Sequence, residues 1–386
     1  MSLPGHIVNA AGPLTRLSGG PLAPGVLEAM AEADAVSVDM MQLHAHAGMR
    51  IAAATGAESG LVTAGASAGL LLAAAACLAR DDIARMSALP RVGQLREIVI
   101  ARSHRNGYDH ALRMAGAHLV EVGLPDPVAG AGVRDVEPWE YAAMIGPGTA
   151  AVSFTATRGN VRHLSDVVGV AHVAGVPVIV DAAAELPPAD NLRRFLADGA
   201  DLVVFSGGKV LGGPAGTGLL AGRRDLIASA ALQCLDLDVP LADFAPPRNF
   251  MDMRRYAGLP RHGVGRAAKL GKHEIAGLLA ALDHFLSETD VQRHARWLAI
   301  CHEVACAMPE CRAMILHEND TGRVPLVQIR FTDAGTAWSA RKCLEARSVP
   351  VHLRSDPGDP AVLLVNPVCL RPGEVAALSG GLNAIL

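Results

Sequence analysis

Two short runs of β-branched residues constrain this chain more than any other feature. In VPVIVDAAAELPPADN the run 176–180 ends on Asp181, and in DLVVFSGGKVLGGPAGTGLLAG the run 201–205 ends on Ser206-Gly207-Gly208-Lys209. Between them NLRRFLADGA has the spacing of a helix. Strand, helix and strand with short connections imply parallel pairing through a right-handed crossover. Polar residues then collect at the strands' carboxyl ends, where open α/β sheets bind ligands. Asp181 and Lys209 are therefore expected to face one crevice.

The same alternation runs upstream. Strands are expected at 59–63, 97–101, 118–122 and 150–154, with helices at 68–79, 107–115, 137–145 and 163–174. A helix over 24–44 should present Val26, Met30, Ala33 and either Val36 or Ser37 on one face. The small-residue turn 64–67 opens a helix, so the amides of Gly65, Ala66 and Ser67 form a ready anion site. Asn106 is placed to cap the helix after strand 97–101. Thr155, Thr157 and Arg158 leave a strand end that should open onto the crevice. Residues 235–265 are loop-rich, a length that usually marks a functional segment or a domain junction. The pattern then changes to a periodic helix from about 266, further helices at 291–308 and 334–346, strand-like runs at 324–331 and 361–365, and a closing helix at 372–382. We expect a lead-in over 1–45, a large domain over 46–262 and a small C-terminal α/β domain over 263–386.

An acid and a Gly-flanked lysine on neighbouring strand ends are what pyridoxal phosphate needs: the amine bonds its aldehyde and the acid keeps its ring nitrogen protonated. The segments GAESGLVTAGASAG, VPVIVDAAA and SGGKVLGGPAGTG resemble the fold-type I pyridoxal phosphate enzymes, in the branch of selenocysteine synthase and D-glucosaminate-6-phosphate ammonia-lyase. The resemblance runs from Val8 to about Leu370. It implies an α/β fold with a mostly parallel, seven-stranded type of sheet plus a small C-terminal domain. It assigns Lys209 as the cofactor lysine and Asp181 as the partner of the ring nitrogen. Ala183 would lie under the ring, His104 would stack on it, and Ser206 would join Gly65, Ala66 and Ser67 at the phosphate. Thr157, or a neighbour, would touch the phenolic oxygen or the substrate. In the family-like lead-in, Asn9, Thr15 and Arg16 are the polar candidates. GRAAKLGKHEIAGLL resembles a lysine-bearing helix start of the ammonia-lyase branch, so Arg266, Lys269 and Lys272 are candidates to reach a phosphate across a dimer interface. Arg158, Arg330 and Arg354 are further substrate candidates, because a guanidinium grips a carboxylate at two points.

The expected reaction is a lyase reaction: Lys209 takes the Cα proton of an amino acid or amino sugar acid, a β-substituent leaves, and a 2-oxo acid and ammonia result. An aminotransferase, a racemase or an aldolase would start from the same proton abstraction. A tRNA-acting selenium transferase fits less well, because the net charge is −4 and the pI near 6.4. Hydrophobic residues make up 51% and aromatics 3%, a composition suited to small-residue helices packed on a sheet. The seven cysteines contain no CxxC, and Cys301, Cys306 and Cys311 suit neither a zinc site nor one helix face. His44 and His46 have metal-like spacing without an evident third ligand, so no metal is expected. MSLPGHIVNAAG has no basic flank before an apolar run, and the longest apolar stretch, 68–79, is too short for a bilayer. A cytoplasmic homodimer or larger homo-oligomer acting on a small molecule, without nucleic acid or membrane, is the expectation.

Overall fold

The computed structural model describes residues 5–124, 136–308 and 313–385, so Cys311 lies outside the described residues. Seven strands make the main sheet: β2 Ser59–Thr63, β3 Glu97–Ala101, β4 His118–Val122, β5 Thr149–Thr155, β6 Val178–Asp181, β7 Leu202–Ser206 and β8 Gly218–Gly222. Ahead of them, β1 is the short strand Val8–Asn9. The order across the main sheet is β2-β8-β7-β6-β5-β3-β4. From β7 to β4 every pair is parallel, whereas β8 runs antiparallel to both β7 and β2. Because β8 is reversed against both neighbours, β2 and β7 point the same way. The carboxyl ends of β2, β3, β5, β6 and β7 therefore share one edge with the start of β8.

Alternation along the strands divides the core. Leu202, Val204 and Ile179 pack with the alanine- and leucine-rich helix Gly65–Ala79 on one face. Val203, Phe205, Val178 and Val180 pack on the other face with residues of the helices Leu164–Val173 and Lys272–Ser287. Side chains of period two, apolar on both faces, are what a parallel sheet covered on both sides requires.

Four strands form the second sheet, in the order β12-β13-β10-β9: β9 Ala313–Leu316, β10 Leu326–Arg330, β12 Arg354–Ser355 and β13 Val362–Val365, with β11 Val351–His352 pairing instead with β1. That pairing is parallel and ties the lead-in to the C-terminal part. Three local expectations change. The single helix expected over 24–44 is two, Val26–Asp34 and Met40–Thr55, because Asp39 breaks the run and caps the second by accepting from the Gln42 amide at 3.1 Å. The helix expected from 68 starts at Gly65, so Gly65, Ala66 and Ser67 form its first turn. The helix expected from about 266 starts at Lys272, after a 3-10 turn at Arg266–Ala268. That helix buries Ile275, Leu278 and Leu282 in the core of the main sheet, not in that of the small one.

Among the described residues no helix is long and apolar enough to cross a membrane. No group of three or more His, Cys, Asp or Glu side chains there could hold a metal. His44 and His46 sit two apart on one helix, so His44 is buried while His46 is exposed.

Candidate active site

Register brings the motif residues together. Thr155 pairs with Asp181, and Asp181 pairs with Val204 two residues before Ser206. Ser206 pairs with Gly218, which pairs with Thr63. A Cβ on Gly218 would lie 2.6 Å from the Gly65 carbonyl carbon and 2.7 Å from the Ala66 nitrogen, so only glycine lets β8 meet this helix start. The chain turns into the helix through Gly65 at φ +80, a conformation glycine adopts freely. Ala64 provides no side-chain cap, which leaves the first amides of a 15-residue helix for an anion.

Lys209 follows Ser206 through two glycines that have no room for a side chain. A Cβ on Gly207 would be 2.3 Å from Thr217 Oγ1, and one on Gly208 would be 2.4 Å from Ala215 Cα. The lead-in docks on the same loop. The Gly20 amide donates to the Gly208 carbonyl at 3.0 Å, and a Cβ on Gly20 would be 2.7 Å from the Lys209 carbonyl oxygen. Gly19 and Gly20 thus pack against the lysine loop by backbone contact.

Charge at this edge is unusual. Burial pushes the Asp181 carboxyl up, opposed by the hydrogen bond from the Ala183 amide at 3.1 Å and by the positive charge of Lys209. Burial pulls the Lys209 ammonium down, opposed by the charges of Asp181 and Glu185. Glu185 is pushed up, chiefly by burial and further by Asp181, against the pull of Arg158 and Lys209. Two acids and one amine therefore interact through a partly dry space, the setting in which functional groups acquire shifted pKa values. Glu185 was not among the sequence candidates. Its signal was an acid in an otherwise apolar turn, DAAAELPP, four residues after Asp181, and its backbone is fixed where the Asn191 side chain donates to its carbonyl at 2.6 Å.

His104 leaves β3 in the 3-10 turn Arg102–His104 and is buried. Its ring meets Phe154 edge-on, with centroids 4.5 Å apart and planes at 76°, and the Asn160 amide lies 2.9 Å from its Nε2. Thr155 donates to the His104 carbonyl at 3.1 Å, joining the ends of β3 and β5. Asn106 caps the turn that follows, accepting from the Tyr108 amide at 2.8 Å. Thr157 is exposed in a turn with Asn160, and Ala183 and Ser206 are half-buried beside Asp181 and Lys209.

The other polar candidates scatter. Arg158 reaches the small-sheet side, at 2.9 Å from Asp320 and 2.6 Å from the Gly322 carbonyl. Arg330, exposed at the end of β10, pairs with Asp359 at 2.8 Å. Arg16 and Arg354 are exposed and make no ion pair among the described residues, and Thr15 is exposed beside Arg16. Asn9 is buried and holds the lead-in turn by donating to the Gly12 and Leu17 carbonyls. Lys272 clamps the end of the helix Val26–Asp34 by donating to the carbonyls of Asp34 and Val36. Arg266 and Lys269 line a separate 570 Å³ cavity with His44, whose ring burial lowers to about 4. Asp236 takes up Arg266 there at 2.6 Å. That cavity includes none of Asp181, Glu185 or Lys209.

The donor set at the sheet edge fits pyridoxal phosphate: an amine for the aldehyde, an acid for the ring nitrogen and helix amides for the phosphate.

Comparison with known proteins identifies relatives of the whole chain. The aminotransferase class-V family model matches residues 82–234. A Streptomyces 5'-C-glycyluridine monooxygenase-decarboxylase is 33% identical over 383 residues, covering 95% of this chain and 86% of that protein. The D-glucosaminate-6-phosphate ammonia lyase of Salmonella typhimurium is 31% identical over 393 residues, covering 98% and 95%. An L-seryl-tRNA(Sec) selenium transferase of Rhizobium meliloti is 29% identical over 229 residues, 52% of this chain and 44% of that protein. Among solved structures, D-glucosaminate-6-phosphate ammonia-lyase superposes with a TM-score of 0.77 at 26% identity over 99% of this chain and 95% of the other. A serine palmitoyltransferase with pyridoxal phosphate shares the fold, with a TM-score of 0.57 at 14% identity over 100% and 90%.

Proposed function

This chain belongs to the fold-type I, pyridoxal phosphate-dependent enzymes related to D-glucosaminate-6-phosphate ammonia lyase, and from that premise we propose that it is a lyase that deaminates an amino acid or amino sugar acid by β-elimination. The observation that carries the reading is that strand register brings Asp181 and the Ser206–Lys209 turn to one sheet edge, with Glu185 in the turn after Asp181, beside an uncapped helix start.

Pyridoxal phosphate, when bound, supplies a sink for the electron pair left on the substrate's α-carbon. Lys209 would hold it at the aldehyde and Asp181 at the ring nitrogen. Gly65, Ala66, Ser67 and Ser206 would receive its phosphate, and His104 and Ala183 would supply contacts to its ring. Thr157 is the candidate for the phenolic oxygen. With its pKa lowered by burial, Lys209 keeps more free amine near neutrality than an exposed lysine, which suits it to take the α-proton. Glu185, with its pKa raised, is placed to return a proton to the departing β-substituent or to hold the substrate's polar group. The product is a 2-oxo acid and ammonia.

Arg16 and Arg354 are the better candidates for the substrate carboxylate, because Arg158 and Arg330 already pair with Asp320 and Asp359. Thr15 lies beside Arg16 in the lead-in that touches the lysine loop. Arg266 and Lys269 are candidates for a substrate phosphate from a neighbouring copy, on the reading that the enzyme works in the cytoplasm as a homodimer. Exposed Leu27, Val36, Val38 and Met49 offer an apolar surface for that contact.

The deciding test is a panel of amino acids and amino sugar acids scored for ammonia and 2-oxo acid without any amino acceptor. Release of both supports the lyase, and strict need for a 2-oxo acid makes it an aminotransferase instead. Borohydride reduction followed by peptide mapping should trap the cofactor on Lys209, and a cofactor-free, colourless protein overturns the account. The Streptomyces relative favours a second reading, oxidative decarboxylation. An oxygen electrode and carbon dioxide trapping on the same panel separate the two.

A further inference from the structure

The opposite edge of the main sheet holds a second, basic cavity of about 480 Å³. It lies between Glu58, just before β2, and Arg223, just after β8. Ser59 pairs with Gly222 there, whereas Thr63 pairs with Gly218 at the Lys209 edge. Four residue steps of extended strand separate the two ends by about 14 Å.

Five arginines line this cavity (Arg223, Arg224, Arg248, Arg254 and Arg255) against only three acids, Glu58, Asp225 and Asp252. Two of the five are committed. Arg223 forks onto Asp225 and also pairs with Asp201, and Arg254 chelates Asp252. The other three keep donors in hand. Arg224 gives its Nη2 only to the Glu58 carbonyl at 3.3 Å, while the Glu58 carboxylate takes the Arg224 backbone amide. Arg255 comes no closer than 3.8 Å to Asp81, and Arg248 makes no hydrogen bond or ion pair among the described residues. Tyr256, largely buried, adds an aromatic wall. Counting Asp201 and Asp81 behind the lining, five acids meet the five arginines, so what the cavity offers is the spare donors of Arg224, Arg248 and Arg255 and not an excess of charge.

We propose that this cavity is a second ligand site, separate from the Lys209 edge, that takes a phosphorylated small molecule. Planar guanidinium forks match phosphate oxygens two at a time, and they stay charged at any working pH. The volume lies in the range that holds a drug-sized or nucleotide-sized ligand. The site stands on its own residues and does not depend on the reaction assigned to Lys209.

Inorganic pyrophosphate is the probe, titrated calorimetrically at low salt into protein saturated with pyridoxal phosphate, so that the helix start at Gly65 is already filled. Saturable binding of one pyrophosphate per chain is expected. Replacing Arg248→Ser and Arg255→Ser together should weaken it at least tenfold. Both arginines are exposed, and unaltered thermal melting of the double variant confirms that its fold is kept. Were the protein to bind no pyridoxal phosphate, the reading at Lys209 would fail, yet the same titration on the cofactor-free chain still reports on these arginines. No saturable binding, or equal binding by the double variant, overturns the proposal. So does a double variant that sediments as a smaller species when the parent binds no pyrophosphate, because the arginines would then meet acids of a second copy.

Discussion

Asp181 and Asp201 are carboxylates on adjacent, parallel strands, at opposite ends of the same sheet. Asp201 lies just ahead of β7 and its carboxylate is fully engaged: it accepts from the Val178 amide at 2.8 Å and meets His172 at 2.8 Å and Arg223 at 3.0 Å. Asp181 ends β6 and, among the described residues, accepts one hydrogen bond, from the Ala183 amide at 3.1 Å. One acid is complete and staples the loops at the amino edge. The other is half-buried with spare acceptor capacity, beside an amine that is itself held below its usual pKa. A folded protein keeps an incompletely partnered buried charge only where something else supports it, and such places are where ligands act.

The sharpest way to break this contrast is Lys209→Ala, which should cut turnover on the order of 10⁴-fold in the ammonia assay without lowering the melting temperature. Next, the two acids should fail differently. Asp181→Asn is expected to cost on the order of 10²-fold in turnover with folding intact. Asp201→Asn should lose about 1.5–3 kcal/mol in urea unfolding while activity per folded molecule is kept, the loss expected for charge-assisted hydrogen bonds. If both variants lose both properties alike, the two edges are not different in kind.

Glu185→Gln should lower turnover about tenfold. Because the Glu185 charge raises the Lys209 pKa, its removal should move the pH profile of Lys209 modification by trinitrobenzenesulfonate to lower pH in the cofactor-free protein. A shift upward, or none, would remove Glu185 from the cluster. Lys209→Met should stabilise the cofactor-free protein at neutral pH. The folded pKa of Lys209 lies below the ordinary 10.5, so the unfolded chain binds the extra proton between those values, and parent stability rises with pH across that window. The advantage of the Met variant should therefore shrink as pH approaches 10.5. Smallest of all, Arg330→Ala should shift stability by under about 0.5 kcal/mol, as exposed ion pairs do. A large rise in KM for that variant would return Arg330 to the substrate site.

Most of the strand order's raw material was legible: β2, β3, β4 and β7 fall within a residue of where the apolar runs end. The break at 35–39 was not, because Val36 and Ser37 keep helical spacing while Asp39 competes for backbone amides as a cap. The late start of the helix at Lys272 was hidden for a related reason, since Arg266–Ala268 has good helix formers but only a 3-10 turn forms there.

Within the site, the chain alone decided which residues end strands. The alternation of β-branched residues fixes which face each covers, and the glycines around Lys209 permit backbone contacts that a Cβ would block. Distances between remote segments were decided only in three dimensions. That Glu185 joins the Asp181–Lys209 pair, that Gly20 lies on the Lys209 carbonyl, and that Arg158 is spent on Asp320 all depend on how separate elements pack. Periodicity is a local property set by backbone geometry, whereas a charge's surroundings are the sum of everything folded against it.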